Sequence, residues 1–325
     1  NFVANWNEVI NATSGYELEI LDGVTPVGTY NIPKPTTTSY RVTGLDQNKT
    51  YTYTVKGKRT NIGPTSNIIT VNTPLYNVTT ISSTIGDVIG VMSDAKFNDP
   101  VGFNIDSTGK LYITDGVNDK IKVYDPTTDN VSTFATGPDY PASIDFATNG
   151  DVYVAAVIEG NVKRYNSSGT FLNNVYSISN LEAVALDNSN NVYYSHRDDG
   201  TQALNIIYKN GLALNTGGLW RPFLHFAENG KLYGSSCLGH KVFEINTSTG
   251  VLTTIAGTGT GGYNSDGIQG TNAQINGPTY LTSDKDNNLY NSKESGNRVR
   301  RVNLTTGIIS TIAGTGTSGS ADGNS

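Results

Sequence analysis

Four polar residues occupy one position of a repeating pattern and carry the side chains best suited to chemistry. Asn104, Asp145, His225 and Thr282 each stand eight residues before the tyrosine of a recurring turn, apolar residue and Tyr, and Ala185 fills the same place in a further copy. An amide, a carboxylate, an imidazole and a hydroxyl are groups that hold, polarise or deprotonate a bound molecule. Their flanks are mostly apolar, and strand side chains alternate between faces. The set therefore shares one orientation at one depth and is expected to approach a central channel as a ligand-binding ring. The bland alternative is hydrogen bonding between neighbouring elements with no ligand, because buried polar groups must be paired.

Other candidates rest on spacing. Asp284, Asp286 and Asn288 offer oxygens at alternate positions, as the start of a calcium loop does, although Asp and Asn are also the residues of tight turns and the bidentate acid that would finish such a loop is not evident. Calcium is thus a possible cofactor, and no other is called for. The three histidines, His196, His225 and His240, form no set with metal-ligand spacing, and no nucleophile is expected within hydrogen-bonding reach of any of them. Cys237, the single cysteine, lies in a strand-like run and reads as a small buried hydrophobe. Seven Asn-x-Ser/Thr sequons, at Asn11, Asn48, Asn77, Asn130, Asn166, Asn246 and Asn303, read as turns.

Short strands must position these residues. Thirty-six Gly and nineteen Tyr, with charged residues at only 15%, describe a polar, turn-rich chain in which helix is hardly expected. The tyrosines that mark the repeat are Tyr112, Tyr153, Tyr193, Tyr233 and Tyr290, separated by 41, 40, 40 and 57 residues, the last interval enlarged by a Gly-rich stretch over 257–276. A period of about 40 residues suits one four-stranded propeller blade. Within the first copy the strands read "VGFNID", "KLYITD", "KIKVYD" and "NVSTFAT", from the axis outwards.

Five markers mean five blades. The segment "NVTTISS" before the first resembles the outer strand "VLTTIAG", and no inner strands precede it. A sixth blade is therefore implied, with residues 76 to 84 as its outer strand and its inner strands beyond Ser325. Over residues 1 to 75 the alternation in "NFVANW", "YELEIL", "TYTYTVKGK" and "NIITVNT" describes a sandwich of two sheets, with Trp6 and Tyr51 buried. The fold class is all-β: a sandwich over 1–75 and a propeller over 76–325.

Trp6, Leu45 and Tyr51 resemble the fibronectin type III domain, which implies that a first strand is missing before Trp6. "TTIAGTGTGGYNSDGIQGTNAQINGPTYLTSDKDNNLYNSKESGNRVRRVNLTTGIISTIAGTGT" resembles two NHL repeats joined by their Gly-rich connector, in a propeller truncated before its last blade. The chain departs from that family where an Asp often follows the marker by three residues: only Asp115 keeps it, against Ala156, His196, Ser236 and Lys293. The zinc-binding peptide-amidating lyase, a similar propeller, places a His just after the proline that opens a blade. The positions here are Val101, Ala142, Glu182, Pro222 and Thr279.

The resemblance is to large secreted or cell-surface proteins of Bacteroidota-type bacteria. It implies a non-catalytic module of a larger protein that binds a protein or glycan through propeller loops, with further domains on the same polypeptide. The alternative it leaves is a lyase or lactonase with a site at the channel, for which Asp145, His225 and Asn104 are the candidates. A net charge of -6 provides no field for polyanions, so nucleic acid is not an expected partner. No apolar run reaches the roughly 18 residues of a membrane span.

Overall fold

The computed structural model describes residues 2–7, 13–33, 36, 38–42, 45, 49–58, 66, 68–72, 77–78, 84–196, 207–214, 216, 219, 221–293, 296–319 and 323–324. The chain divides into two compact units, one of Asn1–Val78 with Gly323–Ser325 and the other of Thr79–Asp322. None of its described helices is long and apolar enough to cross a membrane. The loop 59–65 and the sequons Asn11 and Asn48 fall outside the described residues.

The first unit is a β-sandwich. Phe2–Asn5 pairs antiparallel with Ser39–Val42, and a second sheet runs in the order Thr25–Ile32, Tyr16–Asp22, Thr50–Gly57, Ile69–Asn72. Alternate residues of the long strands enter one core, where Tyr16, Leu18, Ile20, Tyr51, Tyr53 and Val55 are buried. Trp6 departs from expectation. It is only half-buried, because its ring lies at the margin of the core, tilted against Tyr16 with 5.3 Å between centroids. The tie to the backbone of the first strand comes from Tyr53, whose hydroxyl donates to the Asn5 carbonyl at 3.1 Å and accepts from the Asn5 N–H at 3.2 Å.

The second unit is a β-propeller that shows, among the described residues, five antiparallel four-stranded blades, each a meander in chain order. Blade one comprises Pro100–Ile105, Leu111–Asp115, Lys120–Asp125 and Asn130–Thr136; blade two Pro141–Phe146, Val152–Ala156, Asn161–Tyr165 and Phe171–Ser177. Blade three comprises Leu181–Leu186, Val192–His196, Ile207–Lys209 and Leu212–Leu214; blade four Leu224–Phe226, Leu232–Ser236, Lys241–Ile245 and Leu252–Ala256; blade five Tyr280–Ser283, Asn288–Lys293, Arg298–Asn303 and Ile308–Ala313. The first strands of successive blades stand side by side around the axis.

Each interface between blades is apolar and alike. Tyr112, Ile121 and Val123 of blade one pack on Ile144, Val152 and Val154 of blade two, with the Tyr112 ring edge-on to Phe146 at 4.9 Å. Leu281, Leu289 and Val302 of blade five pack on Tyr233 and Val242 of blade four in the same way. In blades one to four the marker tyrosine therefore faces the next blade, and in blades two to five the residue nine places before it faces the preceding one.

Residues 77–78 pair with Gly323–Asn324. Within the propeller, two-residue strands lie along outer strands, Gly90–Val91 on Asn130–Val131 and Ile268–Gln269 on Ile308–Ile309. The other residues of the expected outer strand, 76 and 79–83, fall outside the described set.

Candidate functional site

The strand register places the four ring residues with regularity. Asn104 lies opposite Tyr112, Asp145 opposite Tyr153, Ala185 opposite Tyr193, His225 opposite Tyr233 and Thr282 opposite Tyr290. Asn104, Asp145, His225 and Thr282 line one cavity of about 240 Å³ on the axis. Their polar atoms point mainly across the blade interfaces. The Asn104 amide donates to Asp145 Oδ1 at 2.9 Å, and Asp145 Oδ2 accepts the Leu186 backbone N–H at 2.7 Å, so blades one, two and three are linked in series.

His225 Nε2 lies 2.7 Å from the Ser283 hydroxyl of blade five. This overturns the expectation that no nucleophile stands within reach of a histidine. The reason lies in the face that each residue presents: a residue eight before the marker faces the next blade, and Ser283, seven before its own marker, faces back. Burial alone pushes His225 down to about 4, so the ring is neutral at pH 7. Burial pushes the Asp145 carboxyl up to about 6 against the donors from Leu186, Phe146 and Asn104.

The calcium candidates lie in a turn that Asp284 organises. Asp284 Oδ1 accepts the backbone N–H groups of Asp286 and Asn288 at 2.9 and 3.0 Å, and Oδ2 accepts the Tyr290 hydroxyl at 2.8 Å and the Asn288 amide at 2.9 Å. A carboxylate facing donors on both oxygens is the hub of a turn. Burial favours the neutral acid, but these donors outweigh it and hold Asp284 below the usual carboxylate range. Asp106, Asp187 and the sequon residues Asn166, Asn246 and Asn303 hold their own turns in the same manner.

His240 also has a backbone role, its Nδ1 accepting the Gly277 N–H at 3.0 Å. Asp115 is fully buried and receives Lys122, also buried, at 2.7 Å, together with the Asn98 N–H and the Asn118 amide. Such a pair is tolerated because every charge has partners. Among the described residues, no group of three His, Cys, Asp or Glu side chains could hold a metal ion.

A second site, which sequence reasoning missed, surrounds the end of the channel where the first strands begin. This mouth is a concavity of about 810 Å³ lined by residues of all five blades, among them Asp99, Tyr140, Glu182, Arg221, Phe223 and Tyr280. The Tyr140 hydroxyl donates to Asp99 Oδ2 at 2.5 Å, and that bond, with burial, holds the phenol up to about 12. Arg221 Nε stands 3.4 Å from Glu182 Oε1, whose side chain is 5% exposed. Burial pushes the Tyr280 phenol well up, helped by the nearby Tyr140, Glu182 and Asp99. Cys237, buried as expected, lines the same wall.

The backbone of this rim is strained in a repeated way. Asp99, Tyr140, Asn180, Arg221 and Gly277, one per blade, all adopt left-handed conformations, with φ of 57°, 48°, 54°, 51° and 52°. Only Gly takes that region freely, and another L-residue is penalised by roughly 1–2 kcal/mol, less for Asp and Asn. A tyrosine and an arginine thus occupy the rim in a conformation that Gly277 adopts at the equivalent place in blade five. The available signal was the proline after four of the five, at Pro100, Pro141, Pro222 and Pro278.

No family model matches the chain, and no curated protein matches it. Solved structures do resemble it. A protein of unknown function from Bacteroides thetaiotaomicron aligns with a TM-score of 0.63 at 19% identity, covering 93% of this chain and 80% of that one. An auxiliary nutrient binding protein from Bacteroides ovatus aligns at 0.58 and 16% identity, over 91% and 78%. A gluconolactonase from Xanthomonas campestris aligns at 0.52 and 12% identity, over 67% and 77%. These likenesses are likenesses of fold.

Proposed function

We propose that the chain is a binding module of a secreted or cell-surface protein that takes a glycan at the strand-entry mouth of its propeller. The observation that carries this reading is the strained rim, where Tyr140 and Arg221 stand in a conformation that glycine adopts at the equivalent Gly277. The chemistry around it suits a sugar. Tyr140 and Tyr280 offer rings for the C–H face of a pyranose, while Asp99, Glu182 and Arg221 offer acceptors and a donor for its hydroxyls.

The wider attribution is ours on the same terms. We read the sandwich as fibronectin type III-like, supported by its strand pairing and by Tyr53 tying the first strand, and the propeller as NHL-like, supported by the marker register. A surface location is in keeping with the Bacteroides nutrient binding protein of similar fold. Enzymatic action at the channel is the second reading, and the His225–Ser283 contact favours it. It lacks a group shown to orient the imidazole, which a hydrolytic dyad needs.

Titration calorimetry against a panel of neutral and acidic oligosaccharides tests the proposal. Binding lost on Tyr140→Ala and Arg221→Ala, with folding intact, is expected. Sugar binding untouched by both, or turnover abolished by His225→Ala with the fold retained, would overturn it.

A further inference from the structure

The third strands repeat a charged position that is neutralised differently from blade to blade. Lys122 of blade one and Arg300 of blade five each stand ten residues after their marker, opposite Ile113 and Asn291 of the second strand. In blade one, two cations meet two carboxylates. Lys122 lies 2.7 Å from Asp115 and 3.0 Å from Asp87, and Lys120 pairs with Asp87 as well. The Asn98 N–H at 2.6 Å and the Asn118 amide at 2.8 Å complete the shell of Asp115. In blade two Lys163 is matched by Glu159, and in blade four Phe243 takes the place and needs no counter-charge.

Blade five keeps both cations and one of the acids. Arg298 and Arg300 occupy the positions of Lys120 and Lys122, and Asp266 takes the part of Asp87, whereas position 293, three after the marker, is Lys where blade one has Asp115. The Arg300 side chain is 5% exposed and donates through Nη2 to Asp266 Oδ1 at 2.9 Å and to the Ser265 carbonyl at 3.1 Å. Its buried Nε has no hydrogen-bond partner. Asp266 is shared, since it also accepts the Thr311 and Tyr263 hydroxyls, each at 3.2 Å. Arg298 donates to the Thr315 carbonyl at 2.7 Å, which is a neutral acceptor. Both guanidinium groups lie over the Tyr263 ring, 4.1 and 5.0 Å from its centroid, so two like charges are held side by side. Burial lowers Arg300 below the ordinary arginine range, with Asp266 opposing the shift and Arg298 adding to it.

A pocket of about 160 Å³ lies at the place that corresponds to the Asp115 carboxylate, lined by Tyr263, Asn276, Asn291, Gly296, Arg298 and Arg300. Counted from the marker, Asn276 and Gly296 are the equivalents of Asn98 and Asn118, the two residues that cap Asp115 in blade one. We propose that this pocket binds the carboxylate of a small molecule, received by Arg298 and Arg300 as Lys122 receives Asp115. Charge and shape select the ligand. Two guanidinium groups against Asp266 leave one positive charge, which a monoanion balances and a phosphate dianion overshoots. The planar guanidinium fork also matches the two oxygens of a carboxylate. The proposal does not rest on the glycan reading, because the pocket and the mouth share no lining residue.

Ligand-observed NMR of acetate at neutral pH tests the site, with acetamide as the uncharged isostere and ionic strength held by sodium chloride. Saturable binding of acetate and none of acetamide is expected, with affinity weakened by roughly tenfold or more in Arg298→Met. Lys293→Asp returns to blade five the acid that blade one carries, so it should abolish acetate binding while the melting temperature stays unchanged or rises. The proposal is overturned if acetate does not bind, if acetamide binds equally, or if inorganic phosphate or sulfate binds more tightly than acetate. Native acetate affinity in a folded Lys293→Asp or Arg298→Met protein would overturn it as well.

Discussion

The Tyr140 hydroxyl and the Asp99 carboxylate meet at 2.5 Å across the interface of blades one and two, at the rim of the propeller mouth. The bond joins the two rim residues through their side chains while both backbones are left-handed. Tyr140→Phe removes the donor and leaves the ring. It is expected to lower stability by about 1 kcal/mol in urea titration and to weaken ligand binding at least tenfold. Asp99→Asn should behave similarly, because the phenol then loses a charged acceptor.

Strain at the rim predicts an opposite movement of stability and binding. Arg221→Gly relieves a φ of 51° and removes a side chain 48% exposed, whose ion pair with Glu182 is loose at 3.4 Å. Thermal melts should show stability unchanged or raised by up to about 1 kcal/mol, as at other left-handed positions where glycine fits. Ligand affinity should fall. A clear loss of stability would mean that Arg221 is structural.

Asp145 and His225 predict opposed pH dependences. Asp145 titrates at about 6 in the folded protein, above its unfolded value of 3.8, so its contribution falls as pH rises from about 4 to 6. His225 titrates at about 4, below its unfolded value of 6.5, so its contribution falls as pH drops from 6.5 to 4. In the native chain the two largely cancel. Relative to it, His225→Gln should gain stability on acidification and Asp145→Asn should gain on alkalinisation, each by on the order of 2 kcal/mol across the window. Denaturant titrations at pH 4.5, about 5.5 and about 7 read this directly; parallel curves for all three proteins would contradict it.

Asp284 as a turn hub predicts indifference to calcium. Millimolar calcium or a chelator should leave the melting temperature unchanged, while Asp284→Ala should lower stability by about 2 kcal/mol through the donors it strands. A calcium-dependent rise in melting temperature, abolished in that variant, would restore the metal reading.

Five blades and their strands were legible because turn residues and a tyrosine at fixed spacing encode the meander directly. The ring residues could be placed opposite their tyrosines for the same reason. Which way they point could not be read. Alternation gives two faces, and only packing decides that Asn104 and His225 address the next blade as well as the axis, which is how Ser283 escaped notice. The rim was invisible because Asp99, Tyr140, Asn180, Arg221 and Gly277 share a backbone conformation and no chemistry. Trp6 was expected to be buried from its alternation with Phe2 and Ala4 and from the fibronectin-like resemblance, whereas it packs only partly against the core, just past the end of a short strand.

The prolines that follow four rim residues have an electrostatic consequence. Pro100, Pro141, Pro222 and Pro278 carry no N–H, so at four points around the mouth the backbone can accept a hydrogen bond and cannot give one. With Asp99 and Glu182 beside them, the lip is rich in lone pairs and poor in main-chain protons. An anion approaching it finds no nest of amides of the kind that cradles phosphate, and Arg221 is its single fixed cation among the lining side chains named above. A molecule bristling with hydroxyl protons finds acceptors on every side.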